Sequence, residues 1–217
     1  MNNIYVKIIL TTCILFATSN LKAADSYIKL NYGISSNTVD VKAASGTASG
    51  AIGTDEEDEG FILSGGVMIG EAWGVDLMYY DMGDSTISVT TDDILQINNA
   101  NYSVDSAGDI NRNVKGMGIG LIVAGNSGND FLSQDFYLKL GMHAWNKDGS
   151  TTLMDDNSGF KSKYYNEGIG AYGGIGVAIN VFENTSLDLA YDIIGVSSYG
   201  DFEDNSSLLS LGLRVKF

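Results

Sequence analysis

The chain has 217 residues, which is enough for one sizeable domain and short for two. Its formal net charge is −15 and its 12 Lys and Arg residues are scattered, which argues against a nucleic-acid partner because phosphate backbones are held by clusters of basic residues. Hydrophobic residues make up 44%, too few for a bundle of membrane helices, whereas 27 Gly and no Pro suit a tightly curved sheet.

The first 23 residues are predicted to be a cleaved signal peptide, which leaves 24–217 as the mature domain. Lys7 supplies a positive start, residues 8–17 form a short apolar run, and residues 21–23 precede the expected cleavage after Ala23. The apolar run is too short to span a bilayer as a helix, which takes about 20 residues. This segment therefore predicts export.

The single cysteine, Cys13, lies inside the predicted signal peptide. A lipoprotein site at Cys13 is the weaker alternative, because Thr12 is a poor residue before such a cut and the apolar run would be divided. The mature chain is therefore expected to be exported without a disulfide.

Beyond residue 24, apolar and polar residues alternate with a period of two, which predicts β-strands rather than helices. Eight segments show this alternation: 26–34, 60–70, 73–84, 114–124, 134–146, 166–180, 185–195 and 207–217.

The alternation is clearest at the end of the chain. One face of the last segment is apolar: Leu209, Leu211, Leu213, Val215 and Phe217. The other face is small or polar: Ser210, Gly212, Arg214 and Lys216. The segment 114–124 likewise sets Met117, Ile119, Leu121 and Val123 against Gly116, Gly118 and Gly120.

The connections between segments alternate in length. Three are short, namely 71–72, 125–133 and 181–184, and four are longer and polar, namely 35–59, 85–113, 147–165 and 196–206. Transmembrane barrels have short periplasmic turns and long external loops. The sequence therefore predicts an all-β, eight-stranded antiparallel up-and-down transmembrane β-barrel, with both mature termini on the periplasmic side.

The polar face is expected to line a narrow lumen, because it combines Gly and Ala with single charges. Those charges are Lys29, Asp76, Lys139, Asp188, Asp192, Arg214 and Lys216. The apolar face would then meet lipid over a band about 25 Å tall, flanked by two aromatic girdles. The predicted girdles are Trp73, Phe136 and Phe217 at the short-turn ends, and Phe61, Tyr79, Trp145 and Tyr165 at the loop ends. A lipocalin-like soluble barrel with its apolar face inward is the alternative.

The residues Leu211-Gly212-Leu213-Arg214-Val215-Lys216-Phe217 resemble the closing strand of opacity-protein-like and OmpX-like small barrels, a superfamily that includes the OmpA transmembrane domain. Residues 27–33 also resemble the first strand of such proteins. The resemblance implies a protein of the Gram-negative outer membrane whose partners are outer-membrane lipid and, during biogenesis, the barrel-assembly machinery. In that family the closing strand is the assembly signal, a role that would fall here to Leu211, Leu213, Val215 and Phe217.

Charges in the lumen are expected to pair, because an unpaired charge in a dry interior is unfavourable. Asp188 and Asp192 on strand seven adjoin Arg214 and Lys216 on strand eight, which favours a structural plug. The leading hypothesis is a structural or surface-interaction protein whose external loops contact an unknown extracellular or host ligand. A narrow porin-like channel is the second hypothesis.

A membrane-embedded lipid-modifying enzyme is the third and least favoured hypothesis. His143, the lone histidine, is predicted to face the lumen, but the next position on that face holds Trp145 where a Ser nucleophile would be needed. We therefore expect no catalysis, and no residue is assigned to a cofactor.

The acidic run at residues 55–59 is predicted to lie in the first long loop, where carboxylates could hold Ca²⁺ or Mg²⁺. The run lacks the Gly-spaced ligand pattern of a formed loop site, and adjacent like charges usually mark disorder. We assign no metal site to it.

Overall fold

The structure is a computed structural model that describes residues 26–37, 42–43, 53–55, 57–69, 72–89, 94–97, 100–103, 108–126, 134–155, 158–197 and 203–217. The predicted signal peptide lies outside the described residues and stays a prediction. Within the described part, no helix is long and apolar enough to cross a membrane.

Eight strands form the wall of the structure. They are β1 (Ser26–Asn37), β2 (Glu57–Met68), β3 (Trp73–Val89), β4 (Gly108–Asn126), β5 (Gln134–Asp155), β6 (Ser158–Phe182), β7 (Thr185–Ser197) and β8 (Glu203–Lys216). Each pairs antiparallel with the next, and β8 pairs with β1 from Lys216 opposite Tyr27 to Ser206 opposite Asn37. The sheet is therefore a closed, eight-stranded, up-and-down barrel, as predicted.

The barrel has two unlike ends. At the turn end lie the start of β1, the end of β8 and the β2–β3 and β6–β7 turns, the latter at Glu183 and Asn184. At the loop end, the β3–β4 ladder continues to Val89 opposite Gly108, and the β5–β6 ladder to Asp155 opposite Ser158.

The prediction that residues 85–113 and 147–165 are loops was wrong for much of their length. Backbone pairing needs no apolar alternation outside the apolar band. Polar pairs across the β3–β4 hairpin, Thr86 to Asn111 and Ser88 to Asp109, accompany the ladder instead.

Four short strands complete the described structure: Lys42–Ala43, Gly53–Asp55, Ile94–Ile97 and Ala100–Ser103. Gly53–Asp55 pairs with β3, and the other three form a small separate sheet. A bulge interrupts β3 between Asp81 and Asp84, where Gly83 has a φ of 69°. This left-handed backbone favours Gly.

The apolar face of the strands points outward, as predicted. On β8, Leu209, Leu211 and Leu213 are each more than half exposed. Along β6 the outward positions run from Ile169 to Ile179, about 33 Å along the strand and about 25 Å along a barrel axis at a typical tilt. That height suits the hydrocarbon thickness that an outer-membrane barrel crosses.

The aromatic girdles agree with the prediction except at Trp145. Trp73, Phe136 and Phe217 are exposed at the turn end, and at the loop end Phe61 contacts Tyr79 with ring centroids 5.9 Å apart. The Tyr165 side chain lies outside the described residues. Trp145 is 3% exposed and points inward, because β5 keeps an unbroken register and position 145 shares the face of His143.

Candidate functional site: the barrel interior

The barrel interior contains two layers of side chains. The charged layer, nearer the turn end, comprises Tyr27, Lys29, Asn31, Asp76, Tyr137, Lys139, Asp188, Asp192, Ser210 and Arg214. The plug, nearer the loop end, comprises Ile62, Met78, Tyr80, Met82, Val114, His143, Trp145, Tyr172, Ile194, Val196 and Leu208. The order along the strands separates the layers: Asp76 precedes Tyr80 on β3, and Asp192 precedes Ile194 on β7.

Asp188 is the centre of the charged layer. Its Oδ1 lies 3.3 Å from Lys29 Nζ, and its Oδ2 accepts a hydrogen bond of 3.1 Å from Arg214. The Tyr137 hydroxyl and the Asn31 amide also donate to Oδ1, at 2.7 Å and 2.9 Å. One carboxylate on β7 thus connects side chains from β1, β5 and β8.

Aromatic rings cover the two cations that face Asp188. Lys29 Nζ lies 4.6 Å from the centroid of the Tyr137 ring, and the Arg214 guanidinium lies 4.7 Å from the same ring and 5.1 Å from that of Tyr27. Cation–π contacts of this kind strengthen when they are removed from water. The rings therefore help to replace the hydration that these cations lose in the lumen.

The other two predicted acidic residues are held separately. Lys139 Nζ lies 2.6 Å from Asp192 Oδ1, and Asp76 Oδ2 accepts a hydrogen bond of 2.6 Å from the Tyr27 hydroxyl. Asp76, Lys139 and Asp192 are all at most 1% exposed. The buried charged layer therefore holds three cations and three carboxylates.

Lys216 lies apart from this layer, at the mouth of the turn end. Its Nζ contacts Asp135 Oδ2 at 2.8 Å, across the barrel from β8 to β5, and its side chain is 33% exposed. The sequence reasoning paired Lys216 with the acids of β7 and missed Asp135. Asp135 lies on the same inward face of β5 as Tyr137 and Lys139, so the alternation along the strand could have predicted that it faces the lumen.

The plug is closely packed around His143. The Tyr80 hydroxyl lies 2.7 Å from His143 Nδ1, and His143 Nε2 lies 2.9 Å from the carbonyl oxygen of Gly195. A neutral imidazole that donates from Nε2 and accepts at Nδ1 satisfies both contacts. With both nitrogens engaged by Tyr80 and a backbone carbonyl, the arrangement is that of a packed histidine.

The described residues of the acidic run, Asp55 and residues 57–59, lie in strands and not in the loop that the sequence predicted. Gly53–Asp55 is a short strand and β2 begins at Glu57, so Glu57 and Glu59 alternate with Asp58 across the sheet. The Tyr32 hydroxyl donates to Glu59 on the outer face, whereas Asp58 accepts from the backbone N–H of Asp84 at 2.6 Å. Among the described residues, no group of three or more His, Cys, Asp and Glu side chains is placed to hold a metal ion.

The residues of the predicted assembly signal lie on the outer face of the closing strand. Leu211, Leu213, Val215 and Phe217 are exposed there, and the backbone N–H of Phe217 donates to the carbonyl of Ser26 at 2.9 Å. The end of β8 is thus bonded to the start of β1. Recognition by the assembly machinery stays a prediction.

The chain matches a known protein family, and its structure resembles solved structures of membrane proteins. Residues 8–217 match the family model described as outer membrane protein beta-barrel domain. The structure resembles the attachment invasion locus protein Ail of Yersinia pestis (15% identity, TM-score 0.50, covering 89% of this chain and 99% of that one). It also resembles OprG of Pseudomonas aeruginosa (16% identity, TM-score 0.51, covering 90% and 97%).

At these identities the two structures show a shared fold alone, and no curated protein matches the chain. The family model, in contrast, spans nearly the whole sequence, in agreement with the closed barrel and its outward apolar band. The chain belongs to the family of outer membrane proteins with this β-barrel domain.

Proposed function

We propose that this protein is a closed outer-membrane barrel that acts through surface contacts made by its loop-end hairpins. The loop end faces outside, and both ends of the mature chain lie on the periplasmic side. Membership of the family supports a location in the outer membrane, and the contrast between short turns and long hairpins supports the orientation.

The filled interior is the observation that carries this proposal. The apolar side chains of the plug are at most 5% exposed, and the buried cations of the charged layer each face a carboxylate. A conducting pore needs a continuous hydrated path, whereas the side chains of both layers are buried and contact one another across the lumen. The barrel therefore acts as an anchor for what it holds at the surface.

The loop-end hairpins provide a stiff base for such a surface. The β5–β6 ladder continues past Ile169, at the loop end of the exposed apolar band on β6, as far as Ser158. The β3–β4 ladder reaches Val89 opposite Gly108, and β4 pairs with β5 as far as Ile110 opposite Thr151. These strands form one continuous sheet that projects beyond the apolar band. Long, polar, paired hairpins are suited to holding binding loops away from a membrane.

Shortening the hairpins tests the surface role. One variant joins Ser85 to Arg112, and a second joins Asp148 to Tyr165, each through an Asn-Gly turn at positions that already pair. We expect bacteria that display the shortened barrels to bind cultured epithelial cells less than bacteria with the full chain. Heat-modifiable gel migration verifies that each variant is folded. Undiminished binding by both variants, and by their combination, would contradict the proposal.

The orientation is tested by labelling intact cells with a membrane-impermeant maleimide. Ser88→Cys lies at the loop end and Asn184→Cys in the β6–β7 turn, and both positions are exposed. We expect the first to be labelled on intact cells and the second only after the outer membrane is opened. The reverse pattern contradicts the orientation.

Planar-bilayer recording discriminates the anchor from the channel. We expect the purified, folded barrel to give no steady conductance steps, because the plug and the charged layer close the lumen. A reproducible, ion-selective open state would establish the narrow-channel alternative instead.

A further inference from the structure

We propose that the barrel wall has a seam between β6 and β7, and that the His143 side chain holds this seam closed. The seam is the stretch within the apolar band in which the two neighbouring strands continue without pairing to each other. Loss of the His143 contact would therefore open the wall towards the surrounding lipid. The proposal concerns the wall of the barrel and is independent of what the hairpins bind.

The β6–β7 ladder ends inside the apolar band. Its last pair towards the loop end is Tyr172 opposite Ile194, and beyond this pair the two strands do not bond to each other, although the structure describes both of them further. On the outer face of β6, Ala171 and Ile169 lie past this point and still belong to the band. Backbone groups at the depth of the hydrocarbon need partners within the protein, so a break in pairing at this height is unfavourable unless another contact closes it.

The break is confined to one side of each strand. On its other side β6 pairs with β5 as far as Ser158 opposite Asp155, and β7 pairs with β8 as far as Ser197 opposite Glu203. The outward positions beside the break carry small residues: Ala171, Gly173 and Gly195. Side chains on the outer face therefore give the seam little cover, and its closure depends on contacts from the inside.

The His143 side chain makes such a contact. His143 lies opposite Gly170 on β6, and its imidazole passes over this glycine, because a Cβ at Gly170 would lie 2.6 Å from Nε2. Nε2 reaches β7 and donates to the carbonyl oxygen of Gly195 at 2.9 Å. Gly195 is the first residue of β7 past the last β6–β7 pair. The imidazole thus connects β5 to β7 at the height where β6 no longer pairs with β7.

Two tyrosines hold the imidazole in the form and orientation that this contact needs. The Tyr80 hydroxyl donates to Nδ1 at 2.7 Å, which places the proton of the neutral ring on Nε2, where it can be donated to Gly195. The Tyr172 ring packs edge-on against the imidazole, with centroids 6.3 Å apart. Groups from β3 and β6 therefore fix the donor that closes the seam.

Hydrogen exchange of the barrel folded in lipid vesicles tests the seam. The relevant amides are those of the paired residues 172–175 and 191–194, which exchange when the ladder opens from the seam. We expect His143→Leu, which keeps most of the volume and removes the donor, to raise their exchange about tenfold, the change that loss of one buried hydrogen bond corresponds to. His143→Gln retains an N–H donor and should stay closer to the native rate. An equal rise at residues 117–121, on the β4–β5 ladder, would indicate a general loss of packing and would overturn the proposal.

A reversible cross-link provides the second measurement. In a chain that lacks Cys13, Ala171→Cys and Gly195→Cys would face outward on the two sides of the seam. The positions are close, since a Cβ on Gly195 would lie 3.0 Å from the carbonyl oxygen of Ala171. We expect the disulfide to form on mild oxidation and to return the exchange of His143→Leu to the native rate.

Met117→Cys with Ala144→Cys is the matched control, since these residues pair across β4 and β5 on the outer face. This cross-link should leave the faster exchange of His143→Leu unchanged. Three results overturn the proposal: equal rescue by both cross-links, native exchange in His143→Leu, or failure of the seam pair to cross-link.

Discussion

The charged layer and the plug occupy the same narrow lumen, yet they are held by different physical effects. In the charged layer Asp188 contacts Lys29 and Arg214, and each group depends on a partner of opposite charge. In the plug Trp145 packs among mainly apolar side chains, apart from the hydrogen-bonded pair of His143 and Tyr80, and the Trp145 indole nitrogen has no hydrogen-bond partner among the described atoms. The first layer should be sensitive to charge, and the second to volume.

The inward-facing residues of the same strands therefore close the lumen in two different ways, one in each layer. Small residues such as Gly174 and Gly176 leave room for Asp192 and Tyr137 in the charged layer, since a Cβ at either position would collide with those side chains. In the plug, Gly168 does the same for Trp145, because a Cβ there would lie 2.5 Å from the indole ring. Glycines in the wall thus provide room for the large side chains that fill the lumen.

Among alanine substitutions at Asp188, Trp145 and Lys216, Asp188→Ala is expected to have the largest effect. It leaves Lys29 and Arg214 without their carboxylate, and removing one partner of a buried ion pair costs about 3–5 kcal/mol. The measurement is the free energy of unfolding of the barrel in lipid vesicles, from urea titration.

Asp188→Asn separates charge from shape in this experiment. It keeps the size of the side chain and an oxygen that can accept from Tyr137 and Asn31, but removes the charge that faces the cations. We expect it to lose most of the stability that Asp188→Ala loses. If Asp188→Asn is as stable as the native chain, the charged layer is held by shape and hydrogen bonds, and the contrast with the plug fails.

Trp145→Ala is expected to have the next largest effect, at about 3 kcal/mol, because it leaves a cavity in the plug. Trp145→Phe retains most of the volume and should lose less than about 1.5 kcal/mol in the same titration. A loss for Trp145→Phe equal to that for Trp145→Ala would show that the indole makes a specific contact beyond filling space.

The alternation along the strands, together with the unequal connections, the small residues of the polar face and the placement of the aromatic residues, predicted the closed barrel, its outward apolar face and the inward side of its charges. Lys29, Asp76, Lys139, Asp188, Asp192 and Arg214 all lie in the lumen because a period of two has only two faces. A charge in an apolar-flanked strand has one favourable direction. The alternation therefore predicts which face of the strand a charged residue lies on, even when its partner is not known.

The partners were harder to predict, because they depend on which residues meet across the lumen. Asp135 and Lys216 are on strands that do not pair, so no ladder register connects them. Trp145 was assigned to a girdle from its place near a strand end, although the parity it shares with His143 indicates the lumen. The hairpin extensions were missed because polar residues in paired strands show no apolar period.

Lys216→Ala is expected to have the smallest effect, below about 1 kcal/mol, although its contact with Asp135 at 2.8 Å is shorter than that between Lys29 and Asp188. The Lys216 side chain is 33% exposed at the mouth of the turn end, so water already solvates its ammonium group and screens its attraction to Asp135. About 1 M salt should remove the remaining difference from the native chain, since the screening length falls to about 3 Å. A salt-independent loss as large as that of Asp188→Ala would show that the mouth is sealed from water and that the charged layer extends to the end of the barrel.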